Sequence, residues 1–210
     1  ESDDIPWSMV PEKKVTVVDV KYALSSHFQG TPFDPYAKSG DGLQKGKYRA
    51  IGINRNDFLA LIQMRPDVPA NCQAVQWLAF ASNAFNTLVS FYAAVDETPE
   101  YLANTTKEVS TGNFYWSARM IAAMADASFA KSAIHIERYQ NAVQAKGHAL
   151  LRKYDAEAAK ITDPAESRRL LEKANREIAK MLKEETGNTL DHVLFELSNS
   201  MKNAFSRSDA

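Results

Sequence analysis

Three runs decide the fold: Phe58-Leu-Ala-Leu-Ile-Gln-Met-Arg65, Gln73-Ala-Val-Gln-Trp-Leu-Ala-Phe-Ala81 and Asn86-Thr-Leu-Val-Ser-Phe-Tyr92. Each is short and apolar, and in the second Val75, Trp77 and Ala79 alternate with Ala74, Gln76, Leu78 and Phe80. Period two over this length reads as β-strand. Pro66 and Pro69 bound the first run, and Ser82-Asn83-Ala84-Phe85 makes a turn between the second and third. Short connections imply an antiparallel meander. Apolar residues on both faces predict a sheet covered on both sides. Three strands make a thin sheet, and it reads as the edge portion of a larger one whose other strands lie in sequence outside this chain.

Upstream, an acidic, proline-marked lead-in carries Trp7, and a helix is expected from about Thr16 to Phe28. Val18 and Tyr22 share its inner face, and Asp19 and Lys21 face away. Gly30-Thr-Pro-Phe-Asp-Pro-Tyr36 ends it, since two prolines and a glycine cannot continue a helix. Lys38 to Lys47 is glycine- and lysine-rich and reads as a mobile surface loop. Gly42 to Lys47 fails as a phosphate loop, because the glycine spacing is one short and Tyr48 replaces the Ser or Thr that binds magnesium.

Downstream of Pro99 the pattern is helical. Asn113 caps a segment running to about Lys160, with a bend expected near Gly147. Asp163-Pro164-Ala165-Glu166 signals a new start. Leu170, Leu171, Ala174, Ile178, Met181 and Leu182 form one face of that helix. Gly187 is expected to stop it, and Thr189 to start a last helix burying Leu190, Val193, Leu194, Leu197, Met201 and Phe205. The fold class is α+β, divided as an α+β portion at 1–106 and a helical region at 107–210.

The chain has 210 residues and a net charge of −1, with 45% hydrophobic residues, enough for a sizeable core. A charge near zero supplies no field for nucleic acid or an acidic membrane surface. Mean hydropathy is −0.38, and no run is long enough to span a bilayer. One cysteine makes no internal disulfide and fits a reducing compartment, so the cytoplasm is expected, with export of a full-length protein left open. The start at Glu1, with no basic or apolar leader, reads as a piece of a longer protein.

The chemistry-bearing residues form few constellations. His27, His135, His148 and His192 are scattered, with no metal-ligand spacing, and no metal or other cofactor is expected. Cys72 has no local base or oxyanion donors and reads as incidental. Arg49 and Arg55 bracket the approach to the first strand, where a guanidinium clamps a carboxylate or forms an ordinary surface ion pair.

Six blocks carry a resemblance. They are Ser25 to Tyr36, Tyr48 to Arg55, Gln63 to Pro69, Ala74 to Phe80, Tyr101 to Thr106 and Asn113 to Trp116. In this order they resemble the bacterial dipeptidase A family of cysteine peptidases, more distantly related to the secernins. The resemblance implies an N-terminal-nucleophile hydrolase: an αββα sandwich in which the first residue of the mature chain, a cysteine, attacks the peptide carbonyl with its own α-amino group as base. It places the present chain in the C-terminal part of a protein about twice as long. No catalytic residue is then expected here: the nucleophile lies upstream of Glu1, together with the asparagine expected to help stabilise the oxyanion. Substrate-binding candidates are Arg55, Arg49 and His27, with His27 to Asp34 as a rigid wall. The implied partners are dipeptides, the N-terminal half of the same protein and, to cover an open sheet, a second copy. The alternative is a non-catalytic helical interaction module or associated subunit, which requires an exposed apolar groove between the C-terminal helices.

Overall fold

The computed structural model describes residue 4, residues 6–37 and residues 44–202. The readings at Lys38 to Leu43 and at Phe205, and most of the first five residues, lie outside the described residues. Helix α1 (Val17–Leu24) opens on a capping box: the Asp19 N–H donates to Thr16 Oγ1, and the Thr16 N–H donates to Asp19 Oδ2. It ends earlier than Phe28, which turns into the left-handed region at φ 62°.

Strands β1 (Phe58–Met64), β2 (Ala74–Phe80) and β3 (Val89–Tyr92) form one antiparallel sheet in the order β1-β2-β3. Phe58 stands opposite Phe80, and Val75 opposite Tyr92. The third strand starts later than Asn86 because the Asn86 N–H donates to Ser82 O at 2.9 Å and belongs to the turn.

Helices follow: α2 (Glu100–Ala103), α3 (Phe114–Ala127), α4 (Phe129–Ala158) and α5 (Pro164–Ser198). The caps expected at Asn113 and Asp163 are present, accepting from the N–H groups of Trp116 and Glu166 at 2.9 and 2.8 Å. Two expected breaks are absent. Helix α4 passes through Gly147, which is buried against Ser90 of β3. The break falls instead at Ser128, whose Oγ donates back to Met124 O. Helix α5 passes through Gly187, because Thr189 donates back to Glu185 O rather than capping a new helix. Thr186 also meets the buried Tyr139 hydroxyl at 2.8 Å, which ties α5 to α4 across the glycine. Leu194 and Met201, expected to be buried, are exposed.

The sheet separates two cores. Val89 and Phe91 pack with Phe114 and Ile121 of α3, Tyr139 and Val143 of α4, and Ile178 and Leu182 of α5. Val75, Trp77, Ala79 and Tyr92 pack with Leu151 and Tyr154 of α4 and with Leu171 and Ala174 of α5. The outer edge of β3 is closed by Asn175 of α5, which accepts from Tyr92 N and donates to Tyr92 O at 2.9 and 3.0 Å. Cover on both faces holds at β3 and fails at β1. There Phe58, Ile62 and Met64 are 56%, 78% and 64% exposed. Helices α4 and α5 pack on β3, whereas this face of β1 is left exposed among the described residues. No helix among the described residues is long and apolar enough to cross a membrane.

Candidate functional site

Residues 25–37 and 44–55 lie in the chain between α1 and β1 and form a wall of the candidate site. Gly30 adopts φ 75°, natural for glycine, and Thr31 folds back on Phe28 through its N–H and hydroxyl. Gly52 is required by space: its N–H donates to Ser26 O at 2.7 Å, and a Cβ there would lie 2.4 Å from Ser25 O. This contact fastens the two expected site segments, Ser25 to Tyr36 and Tyr48 to Arg55, to each other.

His27, Arg49 and Arg55 line one cleft of about 440 Å³, with Tyr36, Asn54 and Asp126 on its other walls. The imidazole is held edge-on to Tyr36 and Phe129, and its Nε2 lies 3.9 Å from the buried carboxylate of Asp34. Tyr36 stacks on Phe129 at 4.1 Å and donates its hydroxyl to Asp126 at 2.5 Å. Burial and that carboxylate push the Tyr36 phenol well above its ordinary value, so it remains a donor. Arg49 and Arg55 are exposed, and among the described residues neither forms an ion pair.

A second cavity, of about 280 Å³, lies on the other side of His27. Lys21 lines it, and here the reading of α1 is corrected. Lys21 faces inward, and Val18 and Tyr22 are 49% and 66% exposed. On a two-turn helix Val17, Lys21 and Leu24 share the inward face at i, i+4 and i+7. The ammonium donates to Ser25 Oγ, Asn83 O and Asn86 Oδ1 at 2.7, 2.5 and 2.6 Å. Asn86 completes its own set by donating to Ala81 O and Asn83 Oδ1. Ala81 sits at φ 66°, a strained conformation for alanine, so this network holds a turn that would otherwise relax. Lys21, Asn83 and Asn86 escaped the sequence reading. The available signal was a polar Ser-Asn-Ala-Phe-Asn turn between two apolar strands.

Cys72 is fully buried. Burial and the Asp155 carboxylate push its thiol up to about 11, the opposite of what a nucleophile needs. Its neighbours are structural. Arg65 donates both terminal nitrogens to Asp155 at 2.8 and 2.9 Å, and the Tyr92 hydroxyl donates to the same carboxylate at 2.9 Å. Among the described residues no cluster of His, Cys, Asp and Glu could hold a metal ion.

A sheet open along one strand, beside clefts walled by histidine, arginine and lysine, meets a consistent class among known proteins: peptide hydrolases. The family model described as peptidase family C69 matches residues 1–142, and the chain belongs to that family. It is 43% identical to a protein named dipeptidase from Bifidobacterium longum, over 99% of this chain and 46% of that protein. A probable dipeptidase A from Streptococcus pyogenes is 41% identical over 98% of this chain and 43% of its own length. The dipeptidase A of Lactobacillus helveticus is 39% identical over 60% of this chain. The chain spans less than half the length of the first two.

Proposed function

We propose that this chain is the C-terminal portion of a dipeptidase that cleaves dipeptides through a cysteine acyl-enzyme, the attacking thiol lying outside these 210 residues. The observation that carries the reading is the 43% identity to a dipeptidase across nearly the whole chain. In the reaction the sulfur bonds to the peptide carbonyl carbon, and the thiol proton passes through the base to the departing amine as the C–N bond breaks. Water then hydrolyses the thioester and regenerates the thiol. Cys72 is unsuited to the first step, being buried and held protonated beside Asp155.

The residues of this chain offered to substrate are His27, Arg49 and Arg55. The N-terminal half of the same protein is the proposed partner for β1: it would add strands beside Phe58 to Met64 and cover Ile62, completing the αββα sandwich. The helical interaction module has less support, since Ile121, Ile136, Val143, Leu171, Ile178 and Leu182 are buried rather than lining an open groove.

The test is hydrolysis of dipeptides by the 210-residue chain alone and by the complete polypeptide. The complete protein is expected to turn over and to be inactivated by iodoacetamide, and the chain alone to be inactive. Sustained turnover by the chain alone contradicts the proposal. Sedimentation of the chain as a stable dimer that excludes the N-terminal half would assign the β1 face to a second copy instead.

A further inference from the structure

The cavity beside Lys21 adjoins the arginine cleft across His27, and its electrostatics are unbalanced. Val17, Trp77 and Leu88 form an apolar floor, and Ser25, Gln140 and Gln144 supply polar walls. No aspartate or glutamate lines it. Lys21 is the one lysine or arginine there, with the His27 imidazole on the wall, and its three acceptors are a hydroxyl, a carbonyl and an amide, all neutral. No ion pair of Lys21 exists among the described residues. Neutral acceptors satisfy the geometry of an ammonium without cancelling its charge, and burying an uncancelled charge is costly. By contrast, Asp126 stands on the wall of the cleft that holds Arg49 and Arg55, and those guanidiniums are in water.

We infer that this cavity receives the free C-terminal carboxylate of the substrate, with Lys21 as the residue that distinguishes it from an uncharged end. The inference rests on the dipeptidase reading and deepens it. The volume of about 280 Å³ is at the small end of ligand pockets and suits a fragment of amino-acid size rather than a continuing polypeptide. Ser25 Oγ accepts from Lys21, which leaves its hydroxyl proton for the incoming carboxylate. Burial pulls the Lys21 ammonium down to about 7, so an arriving carboxylate restores the charged form as it binds. A peptide with an amide end gains nothing from Lys21 and must still desolvate in the same cavity.

The experiment uses the complete dipeptidase that carries this chain, with a dipeptide and its C-terminal amide as paired substrates. The wild type is expected to prefer the free acid. Lys21→Met lowers kcat/KM for the acid about tenfold to a hundredfold, mainly through KM, and changes the amide by no more than about twofold. Lys21→Arg keeps the preference for the acid. Equal loss on both substrates assigns Lys21 to holding the β2–β3 turn and overturns the inference, as does an undiminished preference for the acid in Lys21→Met. A second readout needs no variant to fold: in wild-type protein labelled with 15N-lysine, the Lys21 Nζ resonance moves on addition of the dipeptide and not of its amide. No movement overturns the site. If the wild type cleaves no dipeptide at all, the dipeptidase reading falls, and the resonance alone decides whether a carboxylate binds here.

Discussion

Lys21 shows what a single residue can hide. Helical spacing alone places valine and tyrosine inward on α1 and lysine outward. The structure reverses this because a two-turn helix resting on a polar turn gains more from three hydrogen bonds than from burying Val18. Its ionisation has a measurable consequence. Folded, the ammonium titrates at about 7, and its ordinary value is 10.5. Between those values the unfolded chain binds more protons, so stability rises with pH. The raised phenols of Tyr36, Tyr92 and Tyr139 act in the opposite direction only above about 10, where unfolded tyrosines lose their protons first. The raised thiol of Cys72 opposes Lys21 from about 9 upward, so urea unfolding is expected to show a midpoint that climbs between pH 7 and about 9, and Lys21→Met is expected to flatten that climb. A wild-type midpoint that falls over this range contradicts the burial of Lys21. His27, Arg49 and Arg55 were readable as candidates from their neighbours in sequence. That they share one cleft was not, since it depends on the close approach of Gly52 to Ser25.

Elements were more legible than residues. The strand runs, their antiparallel order and the helix starts at Asn113 and Asp163 follow from alternation, prolines and cap chemistry. Glycine misled twice, because tertiary packing overrides a local preference worth about 1 kcal/mol. At Gly147 the helix is held against Ser90, and at Gly187 it is held by Thr186 and Thr189. Gly187 is exposed in a continuous helix, its φ is not positive, and nothing lies near its missing Cβ. Gly187→Ala is therefore expected to stabilise the protein by about 0.5–1 kcal/mol in urea unfolding. Destabilisation would mean that α5 is interrupted there after all.

At the scale of the molecule, the sheet is asymmetric. Helices α3, α4 and α5 enclose β3, and Asn175 seals its free edge. Among the described residues, the outer edge of β1 and the apolar face of Phe58, Ile62 and Met64 stay open. The three strands read as two-faced, and the sequence contains no residue that could say which face is left for another segment. On the proposed reading, that asymmetry and relatives more than twice as long fit a chain that supplies walls and supports to a catalytic unit completed elsewhere. Its one sulfhydryl is then a packing group beside Asp155. The direct measurement is dipeptide turnover by the complete protein carrying Cys72→Ala, with folding checked by circular dichroism. The expected kcat/KM is within about twofold of wild type, since a residue outside the reacting atoms leaves transition-state binding unchanged. A folded Cys72→Ala protein that no longer turns over dipeptides would place the nucleophile in this chain and contradict the proposed function.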